Sequence, residues 1–251
     1  MIRLVQYEAV WGLPNVSPPC MKLETWLRMA GIPYQLAPLE LANSPKGKVP
    51  YIIEEDGTRT GDSTLIIELL TAKYGKDLDA VLTTEQRAIS LAFRRMMKEN
   101  LYWVIVYSRY KDEPNWVRYR QMIMASSLRQ VPLDQRLAFA EAFRKVILDQ
   151  LHGHGMGRHT LEEAYRLGIA DLAAISDYLG DKPYFMGEQI STVDATAYAT
   201  LANIIEVPIA CSVKDFGRSR ENLVRYCKRM GERFFPEMFA SLGGKFAARI
   251  A

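Results

Sequence analysis

From Pro18 the apolar positions fall on one stripe: Cys20, Leu23, Leu27 and Ala30 recur at spacings of three and four. That period predicts a helix over 18–30, and Gly31, tolerant of positive φ, is a natural stop. The segments on either side carry no such period. RLVQYE (3–8) and YQLAPL (34–39) read as short strands, and PYIIEEDGTRT reads as a hairpin turning at Asp56-Gly57. Asp62 and Ser63 then open a second helix that ends near Gly75. After residue 84 strands nearly vanish. Helical periodicity occupies 84–110, 113–130, 133–151, 160–180, 191–205 and 218–232, broken by Pro, Gly and Asn. Ser191 and Asp194 form a capping box at the start of one of these segments. The expected organisation is a small α+β domain over 1–75, the connector GKDLDAVLTT, and an all-helical domain over 84–251.

Composition narrows the function classes. The chain has 251 residues, 49% hydrophobic and 24% charged, with 32 basic and 29 acidic side chains and a net charge of +3. No basic tract dominates, so a nucleic-acid surface is not expected. The three cysteines, Cys20, Cys211 and Cys227, lack the spacing of a disulfide framework and suit a reducing compartment. The opening MIRLVQYEAVWG is too short and polar for a signal peptide, and no stretch approaches the ~20 apolar residues of a spanning helix. A cytoplasmic protein without a membrane span is the expectation.

Three short motifs sit where strands meet helices. Ser17 precedes Pro18, Pro19 and Cys20 at a helix start, where free amides and the positive end of the dipole favour an anion. The serine is either a plain N-cap or a hydroxyl able to donate to a thiolate. A CxxC redox centre needs its exposed nucleophile where Ser17 stands, and Cys20 lies on the apolar stripe, which argues against dithiol chemistry. Lys48-Val49-Pro50 leads into the YIIEE strand. Its X-Pro bond is either trans at an edge strand, or cis with the Val49 amide and carbonyl left free to pair with an extended peptide. Asp62 and Ser63 are either helix caps or a pair matched to the ammonium and carboxylate of an α-amino acid.

The order of these motifs, S-P-P-C, then K-V-P, then D-S, resembles that of glutathione transferases. PCMKLETWLRMAGIPY, GKVPYI, LHGHGMGRHTLEEAYRLGIADL and LGDKPYFMGEQISTVDATAYATLANI resemble more narrowly the metaxin and failed-axon-connections branch, bacterial members included. The resemblance covers nearly the whole chain. It implies a thioredoxin-like N-terminal domain and a helical C-terminal domain, with glutathione as co-substrate, no metal and a homodimer. It also implies roles: Ser17 activates the glutathione thiol, Val49 pairs with the cysteinyl unit, and Pro50 is the cis-proline. Asp62 and Ser63 then clamp the γ-glutamyl end, and Lys48 approaches the glycine carboxylate. The implied activity is attack of the activated thiol on a small hydrophobic electrophile. Metaxins are components of protein-import assemblies, so the resemblance equally implies an alternative, a non-catalytic glutathione- or peptide-binding interaction module. A single-cysteine thiol-disulfide reductase is disfavoured by the serine at the nucleophile position.

In the helical half, Trp103, Tyr107 and Tyr110 recur at helical spacing, and either wall an electrophile pocket or fill the core between domains. HGHGMGRH holds all three histidines, His152, His154 and His159. It reads as a glycine-rich connector rather than a metal site, because no carboxylate or cysteine is interleaved.

Overall fold

The computed structural model describes residues 1–126 and 128–241. Four strands, β1 (Ile2–Val5), β2 (Tyr34–Ala37), β3 (Tyr51–Ile53) and β4 (Arg59–Gly61), form one sheet in the order β2-β1-β3-β4. β1 runs parallel to β2, with Leu4 opposite Leu36, and antiparallel to β3, with Leu4 opposite Ile52. The parallel pair requires a crossover, which α1 (Pro18–Ala30) supplies. Cys20, Leu23, Trp26 and Leu27 of α1 are fully buried. Gly31 takes the left-handed conformation at φ 65°, its N–H bonding Arg28 O and the Ile32 N–H bonding Leu27 O. This pair of bonds satisfies the last carbonyls of the helix. α2 (Ser63–Tyr74) completes this half of the chain.

The second half is helical: α3 (Thr84–Met96), α4 (Tyr102–Tyr110), α5 (Glu113–Ala125), α6 (Leu133–His154), α7 (Leu161–Leu179), α8 (Thr192–Ile205), α9 (Ser212–Ser219), α10 (Glu221–Phe234) and α11 (Pro236–Ser241). A π-turn over Met97–Leu101 joins α3 to α4 without a break in the helical path. Every residue of α8 is buried, and it packs along α1, so one apolar core runs through both halves. At the head of α8 the Ser191 N–H donates to Asp194 Oδ2 at 2.8 Å. Asp194 Oδ1 also accepts from the Phe185 N–H at 2.7 Å and the Tyr226 hydroxyl at 2.9 Å. The expected capping box is therefore a hub that ties α8 to α10.

Two expectations on the helical half are corrected. The segment 218–232 is not one helix, because Arg220 is extended at φ −95°, ψ 94° and separates α9 from α10. The HGHGMGRH connector begins later than expected. α6 continues through Gly153 and His154 and ends at Gly155, whose φ of 105° leaves the helix.

Candidate functional site: a cationic cleft between the two halves

α1, the turn before β3, α2 and the α3–α4 segment enclose a cleft of about 290 Å³. Its floor in the sheet domain comes from Pro18, Pro19 and Lys22 of α1, from Lys48, Val49 and Pro50, and from Asp62, Ser63 and Thr64. Arg94, Met97, Lys98, Tyr102 and Trp103 face them from the helical half. Five residues from separate motifs thus converge, namely Lys48, Val49, Pro50, Asp62 and Ser63, with Trp103 opposite.

The local geometry explains each position. The Val49–Pro50 peptide is cis. The Ser44 hydroxyl donates to Lys48 O at 2.5 Å and accepts from the Lys48 N–H at 3.0 Å, which fixes the turn. The Val49 N–H and C=O are left without partners among the described residues. An extended ligand backbone is the natural complement to such a pair of groups. Lys48 Nζ reaches across to Gln150 Oε1 of α6 at 3.3 Å.

Asp62 adopts φ 78°, ψ 116°, a conformation rare for a residue with a side chain. Its Oδ1 accepts from the Thr64 N–H at 2.8 Å and the Leu65 N–H at 3.3 Å, so it is the cap of α2, while Oδ2 lies 3.7 Å from Lys98 Nζ. Burial opposes its ionisation, but the Thr64 amide and Lys98 hold the carboxyl below its ordinary range. Ser63, 5% exposed, keeps its hydroxyl free of any partner among the described residues. Asp62 Oδ2 and the unpaired Ser63 hydroxyl thus both border the cleft at the head of α2.

Ser17 departs from one sequence expectation. It occupies the N-cap position in extended conformation, yet its hydroxyl makes no capping bond. The two prolines that follow lack amides, so the near part of the helix end has few donors to offer. The hydroxyl makes no hydrogen bond among the described residues, although it lies near enough to the Cys20 thiol to favour its charged form. Cys20 is 0% exposed, and burial pushes its thiol up to about 12 against the opposing pull of Ser17 and the Tyr7 amide. An inert structural thiol fits this environment. Ser17 is half-buried, and the cleft is lined by its successors Pro18 and Pro19 rather than by Ser17 itself.

The aromatic stripe divides. Trp103 faces the cleft, stacks on His154 at 4.6 Å and meets Tyr102 edge-on at 5.3 Å. Tyr107 does not share this wall. It is 3% exposed, its hydroxyl donates to His159 O at 3.1 Å, and its ring packs against Tyr165. Four residues separate it from Trp103, but the helix carries it deeper into the helical half. Tyr110 is core as well, stacked on Trp116 at 5.6 Å. Among the described residues no group of three metal-ligating side chains comes together.

Several cleft residues carry no motif in the sequence. Lys22 donates to Thr64 Oγ1 at 2.9 Å, and burial, reinforced by Lys98, lowers its ammonium to about 7. Arg94 has a buried Nε without a partner. Six cations line the cleft (Lys22, Lys46, Lys48, Arg94, Arg95 and Lys98) against three carboxylates (Asp62, Glu68 and Glu99). The only available sequence signal was a polar residue interrupting the apolar side of α1 and a basic run in α3.

Comparison with known proteins identifies the family. Residues 18–115 match the glutathione S-transferase N-terminal domain, and residues 168–230 match the glutathione S-transferase C-terminal domain. The isoprene-epoxide–glutathione S-transferase of Rhodococcus sp. (strain AD45) is 37% identical over 239 residues, covering 93% of this chain and 99% of its own. Failed axon connections of Drosophila melanogaster is 33% identical over 249 residues, and those cover 94% of this chain but only 59% of that protein. A crystal structure of a glutathione S-transferase from Methylobacterium radiotolerans JCM 2831, in complex with glutathione sulfonate, superposes with a TM-score of 0.62 at 17% identity. That alignment covers 96% of this chain and 93% of the other. On this sequence evidence the chain belongs to the glutathione S-transferase family.

Proposed function

We propose that this protein is a glutathione transferase that binds glutathione in the cleft and activates its thiol for attack on a small apolar electrophile. The observation that carries the reading is the match between cleft and tripeptide. Glutathione brings two carboxylates, a thiolate when ionised, and a backbone that needs one donor and one acceptor. The cleft presents an excess of three cations and the unpaired Val49 amide and carbonyl. Ser63 and Asp62 Oδ2 are assigned to the γ-glutamyl end, and Lys48 to the glycine carboxylate. The cysteinyl sulfur is assigned to the mouth of α1 beside Ser17, where a hydroxyl and a helix N-terminus favour the thiolate. Met97, Tyr102 and Trp103 supply an apolar wall for the electrophile. The Rhodococcus relative, whose name specifies an epoxide, supports an electrophile with a strained or good leaving group. A homodimer and a cytoplasmic location belong to the same proposal. Leu65, Leu69 and Tyr74, exposed along α2, support the first, and no helix among the described residues is long and apolar enough to cross a membrane.

One observation favours a second reading, the non-catalytic binding module. Ser17 is half-buried and does not itself line the cleft. Two measurements separate the readings: calorimetric titration with glutathione, and turnover with epoxides and with a reactive aromatic halide. Binding with turnover is expected. Binding without turnover selects the module, and absence of binding removes the transferase reading and leaves the module only as a binder of peptide.

A further inference from the structure

Arg109 is a buried cation with no anionic partner. It is 3% exposed, and among the described residues no carboxylate pairs with it. Nη1 donates to Val16 O at 2.5 Å. Nη2 donates to Asn203 O at 2.9 Å and to Asn203 Oδ1 at 2.8 Å, while Nε is buried without a partner. The guanidinium sits 5.3 Å from the Tyr119 ring centroid. Neutral oxygens and a ring face offset little of the desolvation cost of a full charge, so this arrangement is expensive for stability alone.

The location suggests what the charge serves. Val16 immediately precedes Ser17, and Asn203 Nδ2 holds the next carbonyl back, Asn15 O, at 3.1 Å. Asn15 Oδ1 in turn accepts from the Ser17 N–H at 2.9 Å, and Asn15 Nδ2 donates to Tyr7 O at 2.6 Å. Two residues of the helical half, on α4 and α8, thus grip the loop that ends at Ser17. The titratable groups that interact with the guanidinium are the phenols of Tyr119 from α5 and of Tyr102 and Tyr110 from α4, which in turn interact with Tyr7 and the Cys20 thiol of the sheet half. Burial pushes Tyr102 up to about 12, so it stays neutral and does not cancel the charge.

We propose that Arg109 is a positioning residue for thiol activation: from the helical half it pins the Val16 carbonyl, and thereby Ser17, while its uncompensated charge stabilises the glutathione thiolate. This rests on the assignment of the glutathione sulfur to the Ser17 end of α1. A unit charge on the order of 10 Å away, at an effective dielectric of about 20, moves an ionisation by about one pKa unit.

The test is the thiolate absorbance of bound glutathione against pH in wild type, Arg109→Met and Arg109→Lys, with affinity for S-methylglutathione measured alongside. Arg109→Met is expected to raise the bound thiol's pKa by about one unit, leaving about tenfold less thiolate at neutral pH, with affinity unchanged within about twofold. Arg109→Lys keeps the charge but loses the fork, so its pKa should match wild type while kcat falls severalfold. A folded Arg109→Met with an unaltered thiol pKa overturns the electrostatic role. Should Arg109→Met not fold, Arg109→Lys decides: a wild-type kcat overturns the positioning role, and a raised thiol pKa overturns the electrostatic one. Wild type that binds no glutathione fails differently, since it refutes the proposed function before any variant is compared.

Discussion

Lys22 Nζ lies 2.9 Å from Thr64 Oγ1, so the first turns of α1 and α2 are joined across the cleft by an ammonium with no carboxylate on it. Burial makes that charge costly and brings its ionisation down to about 7. Lys22 is therefore charged below that pH and neutral above it, unless an anion arrives. Binding of a carboxylate favours the charged form, so affinity should fall as pH rises from about 7, with proton uptake on binding. S-Methylglutathione has no ionisable thiol and isolates this effect. Lys22→Met should weaken its binding roughly ten- to a hundredfold at pH 6, the cost of a lost charge-assisted bond, and much less at pH 8.5. Calorimetry in two buffers of different ionisation enthalpy reads the proton count. Equal uptake in both proteins would assign the proton elsewhere. The same shift has a stability sign: the unfolded chain holds a proton on Lys22 that the folded one has released. This contribution therefore strengthens the ligand-free fold as pH rises from about 7 toward the ordinary lysine range.

Asp62 and Ser63 should separate in their effects, because the structure gives them different structural duties. Asp62 caps α2 through two amides, whereas the Ser63 hydroxyl has no partner among the described residues. Ser63→Ala is expected to cost roughly tenfold in glutathione affinity with little change in Tm. Asp62→Ala should lose affinity and also about 1 kcal/mol of stability, the usual value of a cap. Asp62→Gly would relieve the positive φ and so restore part of the stability without restoring binding. Thermal melts with and without ligand read both quantities. An unchanged affinity in folded Ser63→Ala would move the γ-glutamyl end away from α2.

How far the sequence disclosed all this depends on whether a feature is local. The bounds of α1 were legible because Pro18, the apolar stripe and Gly31 are each a sufficient local cause. The K-V-P and D-S motifs stood out between strands and helix starts, but the cis form of Val49–Pro50 came with the family resemblance, and the positive φ of Asp62 had no local signal. Lys22, Arg94 and Lys98 were not legible, since more than seventy positions separate the first from the others and only the packing of both halves brings them to one cleft. The break at Arg220 had only a weak signal, Gly217 upstream and a charged residue at the position the apolar spacing of Val213, Phe216 and Leu223 would fill. Tyr107 shows the converse error. Its spacing from Trp103 was right for a shared helix, but a period cannot say whether the next turn still borders the cleft.

That division of the aromatic stripe makes its own prediction. Trp103 lines the cleft opposite the sheet domain, whereas Tyr107 is locked to His159 O. Trp103→Ala should raise KM for an apolar electrophile roughly tenfold, the loss of one aromatic wall, while leaving the affinity for glutathione within about twofold. Tyr107→Phe should leave both constants alone and lower Tm slightly, by about the net value of one hydrogen bond. Steady-state kinetics with each substrate varied in turn separate the two constants. A larger kinetic effect from Tyr107→Phe than from Trp103→Ala would place the electrophile in the helical core.

Ser17 and Cys20 lie near each other at the start of α1, and their variants should behave in opposite ways. The Ser17 hydroxyl is assigned to the glutathione thiolate, so Ser17→Ala should cut kcat far more than it weakens glutathione binding, which the γ-glutamyl end sustains. The loss should shrink as pH rises, because above the thiol's own pKa the thiolate forms without help from a donor. Cys20 is sealed in the core with its thiol up near 12, so Cys20→Ala removes only a small buried group. It should cost about 1 kcal/mol of stability and leave the pH–rate profile in place. Rate profiles from pH 6 to 9 with a reactive aromatic halide, paired with titrations, measure all of these. A Ser17→Ala enzyme that matches wild type at neutral pH, alongside an inactive Cys20→Ala, would reverse the two assignments and make the buried thiol the group that acts.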